Sequence, residues 1–234
     1  MKIPESIIEK IVEEEPAGIK TMATVTGKGY YPAPITYRNT KTGEEYAHIA
    51  GAIGWPEKIN PALDNRPGFA VVVGVEKTND AEPKFYVLDW AQSHDVNKLL
   101  QACIEMAFRW GCRESDKILH GWFGDHERYQ EAVYEVNRQF EKSTGYGGIY
   151  IEAPAPYGSP DPQDVYGRKL RDFLDPNQGE KRLVIGQCNE IRTAVQNKEI
   201  DSPTFTAIAS AVYTLNMRKP WMNKVNDPTH YIEI

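Results

Sequence analysis

Cysteine is scarce: 234 residues contain only Cys103, Cys112 and Cys188, and no two of them stand as Cys-x-x-Cys. So odd and sparse a set excludes a disulfide framework and a cysteine-based zinc site, and fits reduced thiols. Long apolar runs are missing as well; nothing approaches the ~18 residues that would suggest a transmembrane helix. The opening MKIPESIIEKIVEEEP is too acidic for a signal peptide. The expected location is therefore cytoplasmic, with no membrane partner. There is no excess of positive charge either, because 27 Lys and Arg face 33 Asp and Glu for a formal net charge of -6. That excludes a surface built throughout to bind phosphates, although a local basic groove remains open.

Several motifs are also absent. A phosphate-binding loop needs Gly-x4-Gly-Lys-Ser/Thr so that backbone N–H groups can cradle phosphates. The nearest string, Thr26-Gly27-Lys28-Gly29-Tyr30, lacks both the glycine spacing and the hydroxyl. Gly-x-Ser-x-Gly and His-Glu-x-x-His do not occur, so serine-hydrolase and zinc-protease chemistry have no support. What is present is a globular composition, 41% hydrophobic and 26% charged, which rules out wholesale disorder.

Along the chain, Ile7, Ile8, Ile11 and Val12 recur at helical spacing, which predicts a short docking helix over residues 4–15. From 18 to 45, glycines and prolines predict an extended arm or short hairpin. Residues 46–54, 68–76 and 84–90 are rich in β-branched and aromatic residues and predict three strands of an antiparallel meander. The second is almost continuously apolar and should be central. Val96, Leu99, Leu100, Cys103, Ala107 and Trp110 predict a helix capped by Ser93 or Asp95 and stopped by Gly111. Residues 117–123 read as a fourth strand, those from 129 to 140 as a second amphipathic helix, and 148–152 as a fifth strand. Asp161-Pro162 and Ser202-Pro203 each read as a cap followed by a first helical residue, so the last third should be helical. The sum is α/β: a mixed sheet of about five strands, a meander followed by parallel strands, flanked by helices.

This order resembles the ribonuclease H-like fold. More narrowly, FAVVVGVEKTNDAEPKFYVLDWAQSHDVNKLLQACIEMAFRWG resembles the nuclease domain of phage terminase large subunits, which cut concatemeric DNA during packaging. The resemblance covers a nuclease-type domain at 46–220, which leaves the N-terminal helix and extended arm at 1–45 and a tail at 221–234. Without a phosphate-binding loop, the ATPase motor of that family is not in this chain. The resemblance also implies a two-cation site for Mg²⁺ or Mn²⁺, with double-stranded DNA and packaging proteins as partners. Two cations about 4 Å apart need several convergent carboxylates. The family takes these from its first strand, the end of its fourth strand and the start of its last helix.

Here the first-strand position falls within Gly51-Ala52-Ile53-Gly54, which has no acid, and the last-helix position falls near Thr206. The fourth-strand position falls at Gly121-Trp122, with Asp125 and Glu127 nearby. Asp125 and Asp201 form a displaced metal site on one reading. On the other, Asp125 caps the following helix and Asp201 is a solvated loop acid. Asp89 is the one acid inside the meander strands and reads either as a third ligand or as an edge-strand residue. His94, Asp95 and His126 have side chains suited to acid–base work, yet each sits at a predicted helix start, where polar residues are expected anyway. Arg168, Lys169, Arg171, Lys181 and Arg182 are candidate contacts to a DNA backbone. Residues 161–234 nevertheless hold 10 basic and 10 acidic residues, as an ordinary helix surface would.

Three functions compete. One is a packaging protein of the terminase-nuclease type with a degenerate metal site, acting by binding DNA or partners. Another is an active metal-dependent endonuclease with displaced carboxylates. The last is a protein-interaction module with no nucleic-acid role.

Overall fold

The computed structural model describes residues 3–12, 35–60, 64–78, 83–112, 121–153, 182–197 and 202–218. Its centre is the expected meander: β3 (Glu45–Gly54), β6 (Gly68–Glu76) and β7 (Phe85–Ser93). β6 pairs antiparallel with both neighbours. From Gly68 to Val75 every β6 residue is buried. A strand covered on both faces reads as a continuous apolar run, which is why its place was legible. Between β3 and β6 lies a separate small hairpin, β4 (Glu57–Asn60) with β5 (Asp64–Arg66), that the sequence reading did not anticipate.

The other edge of β3 is shared. Its start pairs antiparallel with β2 (Ile35–Asn39), and β2 pairs in turn with β1 (Ile8–Val12). Further along, Gly51 and Ala52 pair in parallel with Trp122 and Phe123 of β8 (Trp122–Phe123), and β8 pairs in parallel with β9 (Ile151–Glu152). β10 (Leu183–Val184) adds a parallel edge beside β7. One continuous path therefore runs β10-β7-β6-β3-β8-β9, with the β1–β2 ribbon attached beside the start of β3.

Residues 8–12 are a strand and not the helix that their spacing predicts. Ile7, Ile8, Ile11 and Val12 are all β-branched, so they lose rotamer freedom in a helix and pack well on a pleated surface. Tertiary pairing decides the matter: the Ile7 N–H donates to the Arg109 carbonyl at 2.9 Å, and the Ile7 carbonyl accepts from Thr40 N–H at 2.8 Å. β1 and β2 thus belong to the same sheet as the meander, so the sheet begins well before residue 46. Arg182 and β10 lie in the stretch expected to be helical; the short apolar run Leu183-Val184-Ile185 was the available signal.

Helices cover both faces. α1 (Val96–Trp110) and α2 (Gln130–Thr144) pack on one side, where Ile49, Ile53, Trp55, Val72 and Trp122 of the sheet side meet Leu99, Leu100, Cys103, Ile104 and Phe140. α3 (Asn189–Gln196) and α4 (Pro203–Arg218) take the opposite side, against Ala50, Ala52, Phe69, Val71, Val73 and Phe123. Asp95 is the cap of α1, accepting from Asn97 and Lys98 N–H at 2.8 and 3.2 Å, and Ser93 supports it by accepting from Asp95 N–H. Gly111 stops the helix at φ 67°, a left-handed conformation that glycine adopts without steric cost. Ser202 caps α4 by accepting from Phe205 N–H at 3.2 Å, as the Ser-Pro pair predicts. Every residue from Ala207 to Leu215 is buried, so this stretch of α4 has no solvent face. Among the described residues, no helix is long and apolar enough to cross a membrane.

All three thiols are buried. Burial pushes Cys112 from its ordinary 9.0 up to about 12 and Cys188 up to about 11, and it also raises Cys103. These groups are expected to resist iodoacetamide at pH 8 in the folded protein and to react on unfolding, as counted by intact mass. Between pH 9 and 12 the unfolded chain releases the Cys112 proton while the folded chain retains it. Stability should therefore fall as pH rises through this window, by up to ~1.4 kcal/mol per pH unit from this thiol. Urea titrations of Cys112→Ala should show a shallower alkaline decline; an unchanged decline would refute the attribution.

Candidate functional site

The ends of β3 and β8 and the start of α4 meet at one corner of the sheet. This is where the resembling family would need its carboxylates. A residue on either strand can share a ligand with the start of α4 only if it faces that helix. The residues of β3 that do so are Ala50 and Ala52, followed by Gly54, and the residue of β8 that does so is Phe123. None is an acid.

The corner is also closed sterically. A Cβ placed on Gly54 would overlap the backbone carbonyl of Pro203, the first residue of α4. No side chain of any kind fits there unless the helix moves. On the opposite face a Cβ on Gly51 would overlap the indole of Trp122, its partner across the β3–β8 pairing. Trp122 is fully buried, and its Nε1 donor has no partner among the described residues. A Cβ on Gly124 would meet Ile53 Cγ2 at 2.7 Å. Among the described residues of β3 and β8, this seam is lined by apolar groups and backbone. Those residues offer no side-chain oxygen of the kind that Mg²⁺ or Mn²⁺ takes. Among the described residues, no group of three or more His, Cys, Asp or Glu side chains is placed to hold a metal ion.

The candidate acids take other roles. Asp89 lies on β7 beside an irregularity in its pairing with β6. Its Oδ2 accepts from Arg109 Nη1 at 2.6 Å and Trp110 Nε1 at 2.9 Å, and its Oδ1 accepts from Trp90 N–H at 3.0 Å. It therefore ties β7 to the last turn of α1, on the sheet face away from α4. Strand spacing of ~4.8 Å puts β7 roughly 14 Å from β8 across β6 and β3. Asp89 and Asp125 are not brought together.

Asp125 is exposed at the turn following β8. Its Oδ1 accepts from Glu127 N–H at 3.2 Å, so it closes this turn and does not cap α2. Its carbonyl accepts from Trp55 Nε1 at 2.8 Å, linking the ends of β8 and β3. The residue that starts α2 is Tyr129, at φ 58° and with no side-chain cap. Its ring lies 5.2 Å from that of Trp55 and carries the Arg128 guanidinium at 5.5 Å. His94 is exposed beside the cap of α1, and His126 lies next to Asp125. Asp201 lies outside the described residues.

Of the five basic candidates, Arg168, Lys169, Arg171 and Lys181 also lie outside the described residues. Arg182 is partly buried and is occupied internally. Its Nε donates to the Pro83 carbonyl at 3.2 Å, its Nη2 reaches Asn216 Oδ1 at 3.5 Å, and its guanidinium sits 5.6 Å from the Phe85 ring centroid. Sequence reasoning missed this role because Pro83 and Asn216 are remote in the chain.

Asp89→Ala is expected to leave Arg109 and Trp110 without their acceptor and to lower stability by ~1.5–3 kcal/mol, measured by urea unfolding. A neutral effect would mean that the tie is not structural. Gly54→Ala is expected to cost ~1–3 kcal/mol through overlap with α4. Gly51→Ala should cost a similar amount, and part of that loss should return in the Gly51→Ala/Trp122→Leu double variant, relative to Trp122→Leu alone, because the indole is then gone. Strict additivity would show that the indole is not what excludes a side chain at position 51.

No family model, curated protein or solved structure matches this chain.

Proposed function

We propose that this chain is a phage or prophage DNA-packaging protein with a ribonuclease H-like fold. It resembles a terminase nuclease domain that lacks its motor, has a degenerate metal site, and acts by binding double-stranded DNA or packaging partners. The fold part of this reading is supported by the strand order. A meander in which β3 is flanked by β6 and by a parallel β8, with β9 outside it and the last helix on the opposite face from α1 and α2, is the arrangement that the resemblance implies.

The observation that carries the inactive-site part is the contact between Gly54 and the Pro203 carbonyl. A first-strand carboxylate and a last-helix carboxylate would have to converge at this point, and the backbones already touch there. The competing nuclease reading needs Asp89, Asp125 and Asp201 to share cations. Against it, Asp89 faces α1 and already accepts hydrogen bonds on both oxygens.

Incubation of the purified protein with supercoiled and linear double-stranded DNA in Mg²⁺ or Mn²⁺ is expected to give no cleavage above a metal-free control. Robust metal-dependent cleavage that Asp125→Ala abolishes would overturn the inactive-site reading. Fluorescence anisotropy with a labelled duplex is expected to show binding that weakens steeply as salt rises, because phosphate contacts release counterions. If no binding appears at low salt, the DNA-binding role fails and the interaction-module reading takes its place.

A further inference from the structure

We draw no further inference here: the strongest candidate, the exposed tyrosine flank of α2 and the approach to β9 formed by Tyr134, Tyr146 and Tyr150, carries nothing because nothing in the structure shows what covers it.

Discussion

The close approach of α4 to the small-residue face of β3 is the constraint on which the rest depends. Ala50, Ala52 and Gly54 succeed one another along this face, and their lack of bulk lets the start of the helix reach the strand backbone. α4 can then bury Phe205, Ile208, Val212 and Leu215 together with the residues between them, and its core includes Val71 and Val73 of β6. Fully burying one such side chain contributes roughly 1.5–3 kcal/mol. A larger residue at position 54 would lift the helix and weaken many of these contacts together. The same close packing leaves no room for a side chain at position 54, beside the first residue of α4.

What could be read in advance followed from how many faces of each element are covered. β6 was legible because burial on both sides demands an unbroken apolar run. α1 was legible because one apolar stripe, an Asp cap and a terminal Gly agree with one another. β1 was not, since Ile7, Ile8, Ile11 and Val12 satisfy a helical stripe and a strand equally, and the deciding partners, Arg109 and Thr40, lie far away in sequence. Two-residue strands such as β8 and β10 carry almost no periodicity of their own. They are defined by the strand they lie beside, as Trp122 is by Gly51.

The candidate site shows the same limit. The sequence reveals that no acid lies between positions 51 and 54, and the structure adds that no acid could be accommodated at 54 without moving α4. For Asp89 residue type left two readings open. An acid within an apolar strand resembles a metal ligand, yet its partners are a guanidinium and an indole at the end of α1. Placing a carboxylate there is favourable because charge-assisted hydrogen bonds satisfy it.

A two-cation site requires carboxylates that face the same side of the sheet, reach a common volume, and find that volume free of protein. Asp89 fails the first condition, since it faces α1 while the seam faces α4. Asp125 is exposed, and its Oδ1 is folded back onto its own turn, accepting from Glu127 N–H. At Gly54 the third condition is not met, because the Pro203 carbonyl occupies the space that a side chain there would need. Restoring one acid would therefore leave the other conditions unmet. A chain of net charge -6 has acids enough for the chemistry; at position 54 the packing of α4 leaves room for none.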